Sequence, residues 1–280
     1  MLTETAWAKI NLALHVRGRR SDGYHDLDSV FVFLDSGDEL RFESADDLTL
    51  TIDGPLGAGL SAGEDNLVLR AARALAAEFG IVHRGAHIAL TKNLPAASGI
   101  GGGSADAAAT IRGLSELWDL PDDYERHLTI AATLGSDVPA CIASRPLHVE
   151  GRGDAFELIL DDPTWRGRPT LLVNPGVPLG TAPVFARWDG IDRGPIENPR
   201  HFEMVLMHGR NDLTAAATKL VPAIGEVLAA LAASAPLAAR MSGSGATCFA
   251  VYADPEARDA AAAAIASAHP HWWQLAGALR

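Results

Sequence analysis

The segment that most constrains this chain is Pro95-Ala96-Ala97-Ser98-Gly99-Ile100-Gly101-Gly102-Gly103-Ser104-Ala105, which runs straight into an amphipathic helical pattern. Four of the five residues from 99 to 103 are glycine. Glycine admits a left-handed backbone and close approach of a ligand to the main chain. The free amides and dipole of the following helix start favour an anion, so a phosphate is the natural guest. A flexible strand-to-helix turn capped by Ser104 explains the same residues without a ligand. Two familiar phosphate motifs are excluded. A dinucleotide fingerprint needs glycine three residues after Gly101, where Ser104 stands, and no Gly-Lys dipeptide of a P-loop occurs anywhere.

Around this loop the chain reads as α+β. Strands are expected at 5–16, 30–34, 47–52 and 86–90 from alternation and β-branched content. Asn66 has the chemistry of a cap for a helix carrying Leu69, Ala72, Leu75 and Phe79 on one face. A second helix follows the glycine loop to Trp118, a third ends at Leu134-Gly135, and Ser136 is placed to cap a short fourth. Turn-rich sequence near 160–170 marks a boundary, giving domains 1–160 and 161–280. Beyond it come strand 170–174, helices 212–218 and 222–234, strands 237–242 and 246–253, helix 255–267 and a strand near 271–276. That order predicts helices on one face of a mainly antiparallel sheet. A second glycine cluster, Met241-Ser242-Gly243-Ser244-Gly245-Ala246-Thr247, reads by itself as a glycine-rich hairpin.

Composition narrows the classes of partner. Lys+Arg number 23 and Asp+Glu 35, a formal net charge of −12 over 280 residues, which opposes broad binding to nucleic acid or anionic membrane. Two cysteines, Cys141 and Cys248, make no disulfide framework. No apolar run reaches the roughly 18 residues of a membrane span. A cytoplasmic protein is expected, with no nucleic-acid or membrane partner, as a monomer or homodimer. Of the 23 basic residues only Lys9, Lys92 and Lys219 are lysines.

Three segments together, Ala8-Lys9-Ile10-Asn11-Leu12, Pro95–Ala105 and Met241–Thr247, resemble the GHMP kinase superfamily of small-molecule kinases. Ser21-Asp22-Gly23-Tyr24-His25, Ser136-Asp137-Val138-Pro139 and Glu150-Gly151-Arg152-Gly153-Asp154 narrow the likeness to its branch acting on a diphosphocytidyl methylerythritol in the non-mevalonate isoprenoid route. The resemblance covers nearly the whole chain. It implies an N-terminal domain similar to the second domain of ribosomal protein S5 and a ferredoxin-like C-terminal domain. It also implies ATP as donor, Mg²⁺ to neutralise its phosphates, and an acceptor bearing a cytidine diphosphate.

The same resemblance assigns roles. Asp137 takes the proton of the attacking hydroxyl, with Lys9 beside it to orient the carboxylate and steady the transferring group. Read by themselves, Asp137 is a helix cap and Lys9 a solvated strand residue. Asn11, on the same strand face as Lys9, contacts the substrate. Tyr24 and His25 read the cytidine base, with Thr181 nearby and Phe185 on the opposite side of that base; a surface turn and a core phenylalanine are the plain alternatives. Asn66 and Lys92 flank the nucleotide held by the loop from Pro95 to Ala105, although a cap and an exposed strand end account for them equally. The chain departs from the pattern at Ala97-Ser98 and Ser104-Ala105, where Ala105 removes a hydroxyl. No carboxylate cluster identifies Mg²⁺ ligands. Another GHMP kinase, of homoserine or phosphomevalonate type, and a non-catalytic nucleotide-binding protein are the competing readings.

Overall fold

The computed structural model describes residues 1–159 and 162–280. The boundary expected at 160/161 therefore lies outside the described residues. Two compact units are present. One comprises residues 1–8, 36–96 and 101–144, the other residues 9–35, 97–100 and 145–280. Two long strands, β1 (Leu2–Arg19) and β2 (His25–Ala45), pair with each other and contribute residues to both units. Both far exceed the strands expected at 5–16 and 30–34. Burial is continuous from Ala8 to Val16, taking in Lys9, Asn11 and His15, and from Ser29 to Leu34, so it does not follow the in–out alternation on which a strand assignment relies.

In the first unit, β4 (Gly85–Thr91) pairs antiparallel with residues 39–45 of β2 and parallel with β3 (Leu48–Asp53). A parallel pair needs a crossover, and α1 (Leu67–Glu78) supplies it. Asn66 caps α1 as expected, its side chain accepting from the Val68 amide at 2.9 Å. The helix turns Val68, Leu69, Ala72 and Leu75 inward. Helix α2 (Gly102–Leu117) packs with α1, α3 (Tyr124–Leu134) and α4 (Val138–Ala143). Gly113 brings α2 against Phe42, since a Cβ there would lie 2.3 Å from the phenyl ring.

In the second unit, β5 (Leu147–Gly151) pairs with residues 27–31 of β2 and with β6 (Ala155–Leu158), a hairpin the sequence reading missed. A four-stranded antiparallel sheet follows. Its order is β10 (Trp273–Ala278), β7 (Pro169–Asn174), β9 (Cys248–Val251), β8 (Ala238–Met241). Helices α5 (Thr181–Phe185), α6 (Phe202–His208), α7 (Thr214–Leu220) and α8 (Ala223–Ala233) lie between β7 and β8 in sequence, and α9 (Pro255–Ala268) between β9 and β10. This is the strand–helix–strand–strand–helix–strand order of a ferredoxin-like unit. Its core joins Leu171, Val173, Ile224, Val227, Leu231 and Ile265. The α+β reading and the predominantly antiparallel pairing hold. Helices α5 and α6 were not anticipated, being only 5 and 7 residues long, too short for a clear period.

Candidate active site

The glycine loop is held at three levels of its backbone. Ala97, Gly99 and Gly101 have φ of 48°, 78° and 66°, and Gly101 occupies the cap position of α2 without a side-chain hydrogen bond. Ser104 is thus inside the helix, and the expected cap by Ser104 is corrected. The first turn of α2 begins on Gly102 and Gly103, whose amides no side chain at the cap position satisfies. That leaves an anion-binding helix start of the kind the loop chemistry predicts.

Within the second unit, residues 98–100 are fastened through their carbonyls. The Ser242 hydroxyl donates to Gly99 O at 2.8 Å, the Thr247 amide to Ser98 O at 3.1 Å, and the Lys9 amide to Ile100 O at 3.1 Å. A Cβ on Gly99 would fall 2.4 Å from Ser242 O, so glycine is required there by contact as well as by φ. The second glycine cluster is the hairpin expected, linking the antiparallel pair β8–β9, and it is also a buried support. Asn211 Nδ2 donates to the carbonyls of Met241 (2.7 Å) and Gly243 (2.8 Å), and Asn174 Nδ2 to Thr247 Oγ1 (2.8 Å). Asn174 and Asn211 were missed by sequence reasoning, because single amides outside a motif carry no pattern; Ser242 stood within the second cluster but was given no role of its own.

Lys9 is 3% exposed, so the solvated-strand alternative is corrected. Its Nζ donates to Asn11 Oδ1 at 3.1 Å and lies 4.3 Å from the Phe31 ring centroid. Asn11, equally buried, donates from Nδ2 to Ser29 Oγ at 3.0 Å and from its backbone amide to Ser242 Oγ at 3.0 Å. The pairing of Lys9 with Asn11 follows from strand geometry, as residues two apart share a face.

Tyr24 is 60% exposed in a turn where its amide donates to Asp22 Oδ1 at 3.1 Å; Arg152 lies over its ring at 5.5 Å. His25 is buried, with its ring 5.0 Å from Phe185 and 5.6 Å from Trp188. Burial, and then Arg19, hold the His25 imidazole below its ordinary pKa, so it is neutral near pH 7. Phe185 is half-buried, packing on His25 and against the hydrophobic core of its unit. Thr181 Oγ1 meets Ser244 Oγ at 3.1 Å, joining α5 to the second glycine cluster.

In the first unit, Asp137 stands at the cap position of α4 without a side-chain capping bond, so neither Ser136 nor Asp137 plays the expected cap role. Lys92 is 3% exposed rather than an exposed strand end. Its Nζ pairs with Asp38 Oδ2 at 2.5 Å and Asp106 Oδ2 at 2.6 Å. Asn66, besides capping α1, donates from Nδ2 to Ser61 O at 2.7 Å. Asp38 and Asp106 were not singled out from sequence, since a charge next to a strand end or inside a helix usually marks a solvated face.

Among the described residues no three His, Cys, Asp or Glu side chains cluster to hold a metal, and no helix is long and apolar enough to cross a membrane.

Comparison with known proteins agrees with this architecture. The family model described as GHMP kinases N terminal domain matches residues 66–145, and GHMP kinases C terminal matches residues 200–271. The chain is 49% identical to 4-diphosphocytidyl-2-C-methyl-D-erythritol kinase of Sphingopyxis alaskensis, over 100% of this chain and 99% of that one. It is 51% identical to the kinase of the same name from Rhizorhabdus wittichii, over 99% and 94%. A crystal structure of 4-(cytidine 5'-diphospho)-2C-methyl-D-erythritol kinase superposes with a TM-score of 0.83 at 31% identity, covering 99% of this chain and 98% of that one. The homoserine kinase of Cytophaga hutchinsonii shares the fold, with a TM-score of 0.74 at 17% identity over 99% and 94%. The chain belongs to the GHMP kinase family and, within it, to the 4-diphosphocytidyl-2-C-methyl-D-erythritol kinases.

Proposed function

We propose that this enzyme transfers the γ-phosphoryl group of ATP to the 2-hydroxyl of 4-diphosphocytidyl-2-C-methyl-D-erythritol, in the non-mevalonate isoprenoid route of the cytoplasm. The observation that carries the reading is the glycine loop, with three left-handed residues leading to a helix start that has no side-chain cap. Those amides bind the donor phosphates, together with the backbone from Pro95 to Ala105. Likeness along nearly the whole chain to kinases of that name, at 49% and 51% identity, supports the acceptor.

Phosphoryl transfer is catalysed chiefly by positioning and charge. Asp137 accepts the proton of the attacking hydroxyl. Lys9, desolvated beside Phe31 and oriented by Asn11, offsets charge on the transferring group. Neutral His25 presents one N–H and one acceptor, the complement of a cytosine edge, with Tyr24, Phe185 and Thr181 around the acceptor. Asn66 borders the adenosine, and Lys92 serves the nucleotide from beneath the loop. Mg²⁺ takes few protein ligands when phosphates supply oxygens. The described residues form no protein cage for it, so it fits as an ion carried in by the nucleotide, and no step is assigned to it. The family matches falling inside 1–160 and 161–280 support ATP binding in the first span and acceptor binding in the second, with Asn11, Tyr24 and His25 belonging to the compact unit that holds the C-terminal residues.

ATP turnover measured against the cytidylated methylerythritol, homoserine and mevalonate-type acceptors tests the reading. Turnover confined to the first is expected; turnover with another acceptor and none with the first overturns it.

A further inference from the structure

Lys92, Asp38 and Asp106 form a buried group to which the mechanism gives no chemistry. Asp38 is fully buried and leaves β2; its Oδ1 accepts from the amides of Asn93 (2.5 Å) and Leu94 (2.8 Å), the last residues before Pro95. Its Oδ2 holds the Lys92 ammonium, which in turn holds Asp106 on the second turn of α2. The chain entering the glycine loop and the helix leaving it are thus tied to one ammonium. The group also lies directly under the helix start, because a Cβ on Gly102 would sit 3.3 Å from Lys92 Nζ and 3.8 Å from Asp38 Oδ2.

We propose that Asp38, Lys92 and Asp106 are positioning residues for nucleotide binding, clamping both ends of the glycine loop, and that the clamp's net charge sets the loop's grip on the donor phosphates. This rests on the kinase reading above. Two carboxylates share one cation, so full ionisation leaves one uncompensated negative charge beneath a phosphate site. Asp106 Oδ1 is buried with no hydrogen-bond partner, so the Lys92 contact at Oδ2 is the one that favours the anion, against the cost of burial. Burial raises Asp106, Lys92 opposes that and Asp38 adds to it, and the carboxyl settles at about 7. Burial by itself lowers the Lys92 ammonium, but the two carboxylates raise it above its ordinary value, so Lys92 stays charged.

The charged groups acting on Asp106 are Lys92, the residue after β4, and Asp38 from β2. Helices α1 and α4, which also pack on α2, bury apolar residues such as Val68, Leu69, Val138 and Ile142. From α3, His127 meets Ser115, nine residues beyond Asp106. The sign follows: below about pH 7 Asp106 is protonated and the clamp is neutral; above it the clamp is negative and repels polyphosphate.

The test is calorimetric titration of the full chain with ADP at fixed magnesium, from about pH 6 to 8.5, for the wild type, Asp106→Asn and Lys92→Met. Asn mimics the protonated carboxyl, so the ratio of the two affinities removes the ionisation of ADP itself. Wild-type affinity is expected to fall about fivefold relative to Asp106→Asn across that range, a modest coupling. Lys92→Met is expected to weaken ADP tenfold or more while the KM for the acceptor stays put, a split that general misfolding does not give. Parallel pH profiles of wild type and Asp106→Asn overturn the proposal even if Lys92→Met does not fold. A wild type that binds no ADP at any pH overturns the kinase reading, and the clamp with it.

Discussion

At the scale of single residues, the site divides into side chains that act and side chains that hold. Asp137→Asn keeps size and removes the proton acceptor, so turnover is expected to drop by about two or more orders of magnitude with ATP affinity close to normal, read by single-turnover kinetics beside a binding titration. Full activity in that variant removes Asp137 as the base. Gly99→Ala puts a Cβ 2.4 Å from a carbonyl at a left-handed φ, and is expected to cost about 2 kcal/mol or more in chemical unfolding. Ala97 carries the opposite prediction. It pays the left-handed cost already, at φ 48°, so Ala97→Gly is expected to be neutral or stabilising by up to about 1 kcal/mol. Lys9 and Lys92 were legible as residues that matter only through the family resemblance, since by themselves they read as a solvated strand residue and an exposed strand end; their partners were legible unequally. Asn11 could be inferred from the strand period; Asp38, 54 residues away from Lys92 in sequence, could not.

Elements extend the same contrast. Helix α1 and its cap at Asn66 were readable because cap, period and length agree locally. The β5–β6 hairpin was not, since strands of 5 and 4 residues have too few alternations to stand out. That hairpin is joined to β2 by a polar contact as well as by its ladder: His148 Nε2 meets Asp28 Oδ1 at 2.9 Å, while Asp28 Oδ2 accepts from the Ile196 amide at 2.8 Å. The hydrogen bond to Asp28 raises His148 despite burial. Burial pushes Asp28 up, but the bonds from His148 and Ile196 outweigh it and hold Asp28 low. A raised histidine stabilises below its unfolded pKa of about 6.5 and loses that contribution as pH rises through its higher folded value. A lowered aspartate stabilises above its unfolded pKa and loses that as pH falls through its folded value. The pair therefore contributes most in mildly acidic solution. Thermal unfolding of His148→Gln should lie further below wild type near pH 5.5 than near pH 8.5; an equal gap at both pH values removes the ion pair as a source of stability.

For the whole molecule, the acidic balance is compatible with the anionic ligands proposed because the phosphate contacts proposed are local. A net charge of −12 with a pI near 5.2 gives a solubility minimum close to pH 5 and no retention on a heparin column at neutral pH and moderate salt. Firm retention there would show a basic face that the composition does not suggest. The ferredoxin-like order was implied by the motifs rather than by the strands, whose pairings in β10-β7-β9-β8 are all between segments far apart or separated by helices except β8–β9. Local sequence holds turn and cap chemistry well, while long-range partners are set by packing, which leaves no periodic trace.

The hydroxyl of Ser242 and the amide of Thr247 grip the glycine loop by its carbonyl oxygens, and a carbonyl is the same atom whatever residue bears it. The loop's side chains are thereby released from the task of holding its shape. Replacements such as Ala97-Ser98 and Ala105 can accumulate in it wherever no close contact demands glycine, as it does at Gly99, and position 242 gives a handle on the loop from outside it.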